Sequence, residues 1–72
     1  MKFRFTKHAL ARCRQRGIKV KDVKLAVQSA EKVKIVEGGA IEAKKKIRKK
    51  TLVVIFEAHR DLRKIITAYY ED

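Results

Sequence analysis

From Lys7 to Arg16 the apolar and polar positions repeat with a helical period. Ala9, Leu10 and Cys13 fall on one side, and His8, Arg12 and Arg16 run along its border. Both ends of the segment carry stop and start signals. Thr6 can cap it, its hydroxyl accepting a hydrogen bond from a first-turn amide, while Phe5 and Leu10 occupy the two positions of a hydrophobic staple. Gly17 can take the left-handed conformation that closes a helix, after which Ile18 folds back toward Cys13. At about 100° per residue, positions 8, 12 and 16 drift by about 40° per step, so their side chains form a cationic ladder.

Helical spacing resumes at Val20, Val23, Val27 and Ala30, with Leu25 and Ala26 widening the apolar side, which predicts a second helix over 20–30. Lys19 is a poor cap for it, whereas Asp22 puts a negative charge in the first turn, where the helix dipole favours it. After Lys32 the period shortens to two. Val33, Ile35 and Val36 form a short strand ended by the Gly38-Gly39 turn, residues 40–49 a basic strand, and Thr51 to Phe56 an almost wholly apolar one that belongs at the sheet centre. A turn over 58–61 leads to a last strand from Arg63 to Tyr70, and Lys2 to Phe5 can add a short edge strand. The expected fold is α+β, with two N-terminal helices packed on one face of a three- to four-stranded antiparallel sheet, and residues 1–72 forming a single compact domain.

Charge narrows the partners. The 72 residues carry 20 Lys plus Arg against 8 Asp plus Glu, a formal excess of +12, which favours nucleic acid, a phosphorylated surface or an acidic protein. No run approaches the roughly 18 apolar residues of a membrane span, and Met1 is followed by an alternating charged segment, not a signal-peptide core. The expected address is the cytoplasm, with no membrane partner. The lone Cys13 cannot form an internal disulfide, and its place on the apolar side makes it a small core residue. A monomer and a homodimer both remain open.

The chemistry available is limited. Two histidines and one cysteine are too few for a zinc site, the glycines lack the spacing of a phosphate loop, and the carboxylates are scattered, so no metal or cofactor is expected. Cleavage of RNA would then use its own 2′-hydroxyl as nucleophile, with protein groups moving protons and cations stabilising the phosphorane. His8 is the candidate proton-transfer group, Arg12 and Arg16 clamp phosphate, Tyr69 or Tyr70 supplies a phenol, and His59 a second titrating group. Strand alternation sends Lys44, Lys46 and Arg48 to one side as a row of phosphate contacts. Each has a plain structural alternative: His8 packing a helix start, arginine stems covering apolar surface, one tyrosine in the core, and lysines guarding a sheet edge against aggregation.

His8-Ala9, Arg12 and Arg16-Gly17-Ile18, with Val23 and the late Ile65-Ile66-Thr67-Ala68-Tyr69, resemble the domain-of-unknown-function family 4258 of small bacterial and archaeal proteins, from about Thr6 to Tyr70. More distantly the chain is similar to toxins of the BrnT and RelE type, through Arg16-Gly17-Ile18 before a second helix and Arg63 to Ala68 in the late strand. BrnT-type toxins continue into a basic helical segment where this sequence carries Glu71-Asp72. The resemblance implies a small α+β fold and, through the toxins, mRNA cleavage restrained by an acidic antitoxin. The leading expectation is therefore an RNA-directed toxin-like domain, a metal-independent endoribonuclease of a toxin–antitoxin pair. A noncatalytic basic nucleic-acid-binding module and an interaction domain for an acidic protein are the alternatives.

Overall fold

Thr6 caps the first helix as its hydroxyl requires: Oγ1 accepts the Ala9 N–H at 2.9 Å. Gly17 closes the same helix at φ 65°, and Ile18 N–H donates to the Cys13 carbonyl at 2.8 Å, so both buried side chains meet the core where the chain reverses. A computed structural model describes residues 1–71, and within them the order is β1 (Lys2–Phe5), α1 (Lys7–Arg16), α2 (Val20–Gln28), β2 (Lys32–Ile35), a 3-10 turn (Glu37–Gly39), β3 (Ile41–Ile47), β4 (Lys50–His59) and β5 (Leu62–Glu71). Asp72, the last residue of the acidic tail, lies outside the described residues. A Thr6→Ala variant leaves the Ala9 amide without its acceptor and should cost about 1 kcal/mol. For a domain this small the expected drop in melting temperature, read by circular dichroism, is about 4–8 °C.

The sheet is larger than expected and mixed. Its five strands run β1-β5-β4-β3-β2, antiparallel throughout except that β1 lies parallel to β5, which corrects the three- to four-stranded antiparallel sheet. Alternation along a strand records which face each residue occupies but not the direction of its neighbour. β1 feeds the helices instead of a hairpin, so no tight turn ties its direction to that of β5. Backbone bonds dock its ends: Lys2 N–H donates to Asp61 O at 2.7 Å and Thr6 N–H to Ile65 O at 3.3 Å.

Both helices cover one face of the sheet, and small residues do most of the contacting. Ala9, Cys13, Val23 and Ala26 are buried against Ala43, Leu52, Val54, Phe56, Ile65 and Ala68. Leu10, Val20 and Leu25 were expected on the inward side but are 44%, 39% and 42% exposed. Leu10 stands about 100° around the helix from Ala9, which turns it off the contact line once Ala9 and Cys13 define that line. α2 also stops at Gln28, two residues before the expected end, where Ser29 leaves helical geometry at φ −129° and ψ 37°. Asp22, in the first turn of α2, is buried with Oδ2 lacking a hydrogen-bond partner.

A bulge lets β5 serve the core at uneven spacing. Ile55 pairs with Thr67 but Phe56 pairs with Ile65, so Ile66 is the extra residue, and Ile65 and Ala68 both reach the helix-covered face. β4 lies at the centre of the order, as its apolar run predicts. Val53 is fully buried although it points away from the helices. Its direct neighbours are Lys44 on β3 and Tyr69 on β5, and the Lys44 ammonium reaches across β4 to Glu71 Oε1 at 2.7 Å. The lysine stem and the tyrosine ring thus do for Val53 what the helices do for Val54.

Candidate functional site

The hairpin between β3 and β4 closes with only two loop residues, since Ile47 pairs with Lys50, and Arg48 takes a left-handed φ of 60° to make the turn. Ile47 is buried beneath it, so the loop is anchored while Arg48, Lys49 and Lys50 are exposed. The C-terminal end of α1 lies beside this loop. Together Arg16, Gly17, Ile47, Arg48, Lys49, Lys50 and Tyr70 line an open cleft. The Arg16 guanidinium is held there by donating from Nη1 to the Ala68 carbonyl at 2.8 Å, and the Lys50 ammonium stands 5.3 Å from the centre of the Tyr70 ring. Four cations and one aromatic ring line the cleft, and no carboxylate does so among the described residues.

The lysines of β3 have a different environment. Lys44 and Lys46 lie on the face away from the helices, where Lys44 is bonded to Glu71 and stands 4.0 Å from Glu42. Glu31 accepts the Lys46 backbone N–H at 3.2 Å and approaches the Lys45 ammonium at 3.9 Å. Arg48 does not continue this row, because the strand ends at Ile47 and the turn carries Arg48 to the cleft. The hydrogen bond from Lys44 to Glu71 pushes the ammonium above its ordinary value of 10.5, and burial opposes this only in part. A raised lysine contributes stability fully present below its unfolded value and lost as pH rises through the folded one. The pair should therefore hold at neutral pH and release only on the alkaline side of 10.5. In Glu71→Gln, a side-chain NMR titration should find the Lys44 transition moved down toward 10.5.

The other expected residues disperse. His8 is exposed on the first turn of α1, eight residues before Arg16 and so about 12 Å from it along the axis. Arg12 is half-buried and donates from Nη1 to Gln15 Oε1 at 2.9 Å, along the helix instead of into the cleft. Tyr69 is on the open face beside Val53, and regular alternation gives Tyr70 to the helix side, where it lines the same cleft as Arg16. His59 lies at the other end of β4, bonded through Nε2 to Glu57 Oε1 at 3.0 Å, a contact that lowers the Glu57 carboxyl. Of His8, Arg12, Arg16 and Tyr69, only Arg16 lines the cleft.

Lys49 and Lys50 belong to the basic run that the sequence displays, but not to the row of phosphate contacts that strand alternation predicts. A two-residue turn with no glycine or asparagine hides within a basic run, so the signal available was the change from basic to apolar at Thr51. Burial pushes the Cys13 thiol up while the nearby Arg16 charge pulls it partly back, so this cysteine is a packed core group. Among the described residues no three His, Cys, Asp or Glu side chains gather as metal ligands, and no helix is long and apolar enough to cross a membrane.

These features define a small basic α+β domain with a cation-lined cleft at the junction of helix end, hairpin and last strand. The family model described as a domain of unknown function (DUF4258) matches residues 5–70, and the chain belongs to that family. No curated protein and no solved structure matches it.

Proposed function

We propose that this chain is an RNA-directed, toxin-like domain that holds a single-stranded segment in the cleft between Arg16 and the Arg48-Lys49-Lys50 turn. The observation that carries the reading is the uncompensated charge there: four cations converge without a lining carboxylate, whereas the β3 lysines face Glu31, Glu42 and Glu71. Guanidiniums suit bidentate contact with phosphate, and Tyr70 adds an aromatic surface of the kind on which an unpaired base stacks. The toxin-like part of the reading rests on the resemblance of Arg16-Gly17-Ile18 and the late strand to BrnT- and RelE-type toxins.

Salt dependence tests it. Affinity for a labelled single-stranded RNA should fall with salt with a logarithmic slope of about 0.7 per phosphate neutralised. Arg48→Ala combined with Lys50→Ala should reduce that slope by about 1.4 and weaken binding to all sequences alike. Lys44→Ala with Lys46→Ala should leave the slope nearly unchanged, because those positions sit among carboxylates. The reverse result would put the RNA on the open sheet face and end the cleft assignment.

Cleavage is the second reading, favoured by the phenol of Tyr70 and the guanidiniums of Arg16 and Arg48 lining one cleft. The RNA 2′-oxygen attacks the adjacent phosphorus and loses its proton, the 5′-oxygen leaves and gains one, and the ends are a 2′,3′-cyclic phosphate and a 5′-hydroxyl. On this reading arginines facing the phosphate stabilise the added negative charge of the phosphorane, and the phenol moves one of the two protons.

A further inference from the structure

β2 is the free edge of the sheet beside β3, and all four of its residues are exposed. Val33 and Ile35, at 63% and 78%, are the most exposed large apolar side chains among the described residues. The Val36 N–H donates to the Ala40 carbonyl at 2.8 Å, which sets the alternation of the ladder: Lys34 bonds with Glu42 and Lys32 with Lys44. The N–H and C=O groups of Val33 and Ile35 therefore point outward, away from β3. Lys32 and Lys34 place their side chains on the open face, and Val33 and Ile35 on the other.

We infer that β2 is a docking edge for an extended segment of an acidic protein partner, in which carboxylate and apolar residues alternate. Such a segment would extend the sheet by one strand. Its backbone would bond to Val33 and Ile35, its carboxylates would face Lys32 and Lys34, and its apolar residues would cover the two exposed side chains. Charge selects this occupant over a second copy of the chain. Antiparallel pairing of two β2 strands about a two-fold axis sets Lys34 against Lys34, or Lys32 against Lys34, in a protein whose formal excess is already +12. Lys32 has no ion-pair partner among the described residues, and Lys34, 3.7 Å from Glu42, keeps 68% of its side chain exposed and so open to a second carboxylate. The inference is independent of RNA binding, since no cleft residue takes part.

The test is a titration of the whole protein with a seven-residue peptide alternating glutamate with valine and isoleucine, followed by backbone amide NMR. The expected result is shifts and slowed amide exchange at Val33 and Ile35, and binding roughly tenfold or more weaker when lysine replaces the glutamates. Val33→Pro removes an outward N–H that the native ladder does not use, so it should keep the fold by circular dichroism and lose the peptide. Arg48→Ala with Lys50→Ala should bind the peptide as the wild type does, whatever its effect on RNA. Shifts confined to the Arg16 cleft, equal binding of the lysine peptide, or a β2-mediated homodimer in sedimentation would overturn the inference.

Discussion

Val54→Asp should abolish folding. Val54 is fully buried between the helix layer and the centre of the sheet, in register with Ala43 on one side and Ala68 on the other. An aspartate there loses the valine's apolar burial and leaves a charge without a partner, a combined penalty of several kcal/mol. A domain of 72 residues has a stability of roughly 4–11 kcal/mol, so little or none remains. Circular dichroism should find no cooperative melt, while Val54→Ala, costing roughly 2 kcal/mol, should still fold. A wild-type melt for the aspartate variant would contradict the placement of β4 at the centre.

If the cleft cleaves RNA as proposed, Tyr70→Phe should reduce cleavage by about a hundredfold or more, with affinity changed only a few-fold, since proton transfer would be lost while the ring and the cations stay. On the same reading Arg16→Ala should weaken both binding and rate, because a guanidinium in the cleft would meet phosphate before and during the reaction. It also frees the Ala68 carbonyl, so Arg16→Lys, which retains a cation but not the planar fork, separates charge from geometry. His8→Ala is the discriminating variant. With His8 about 12 Å along the helix from Arg16, cleavage in the cleft should survive its loss. A dead His8→Ala would move the substrate onto the outer face of α1. The product to follow is the cyclic phosphate end; a wild type that binds RNA but makes none, on free or ribosome-bound RNA, is a binding module.

These residues differ in how far sequence reasoning could reach them. α1 was readable from Lys7 to Arg16 because its determinants are local: Thr6 acts on an amide three residues on, and Gly17 closes the helix through carbonyls of the preceding turn. The strand run at the centre was readable because Leu52 to Phe56 has no polar position to give to water. The candidate site was only partly accessible. Arg16 and Arg48 were expected in separate places, the helix ladder and the β3 row, yet line one cleft, and Tyr70, not Tyr69, joins them there, a choice of sheet face that alternation permits either way. His8, Arg12 and Arg16 share a helical ladder, yet a ladder spreads its members along an axis and does not gather them at a point.

From the sequence alone came the helix boundaries set by caps, the strand periods, the excess of positive charge, and the resemblance to family 4258 that the match over residues 5–70 bears out. Tertiary structure alone decided which charges are compensated and which are not. Lys44 finds Glu71 across 27 positions and Arg16 finds Ala68 across 52, contacts that depend on strand order, register and the bulge at Ile66. Periodicity carries information over a few residues, within the reach of a hydrogen bond or a helical turn. Electrostatic neighbours are fixed only when the strands have been ordered, and the order β1-β5-β4-β3-β2 is what leaves the Arg16 cleft cationic and Lys44 and Lys45 paired.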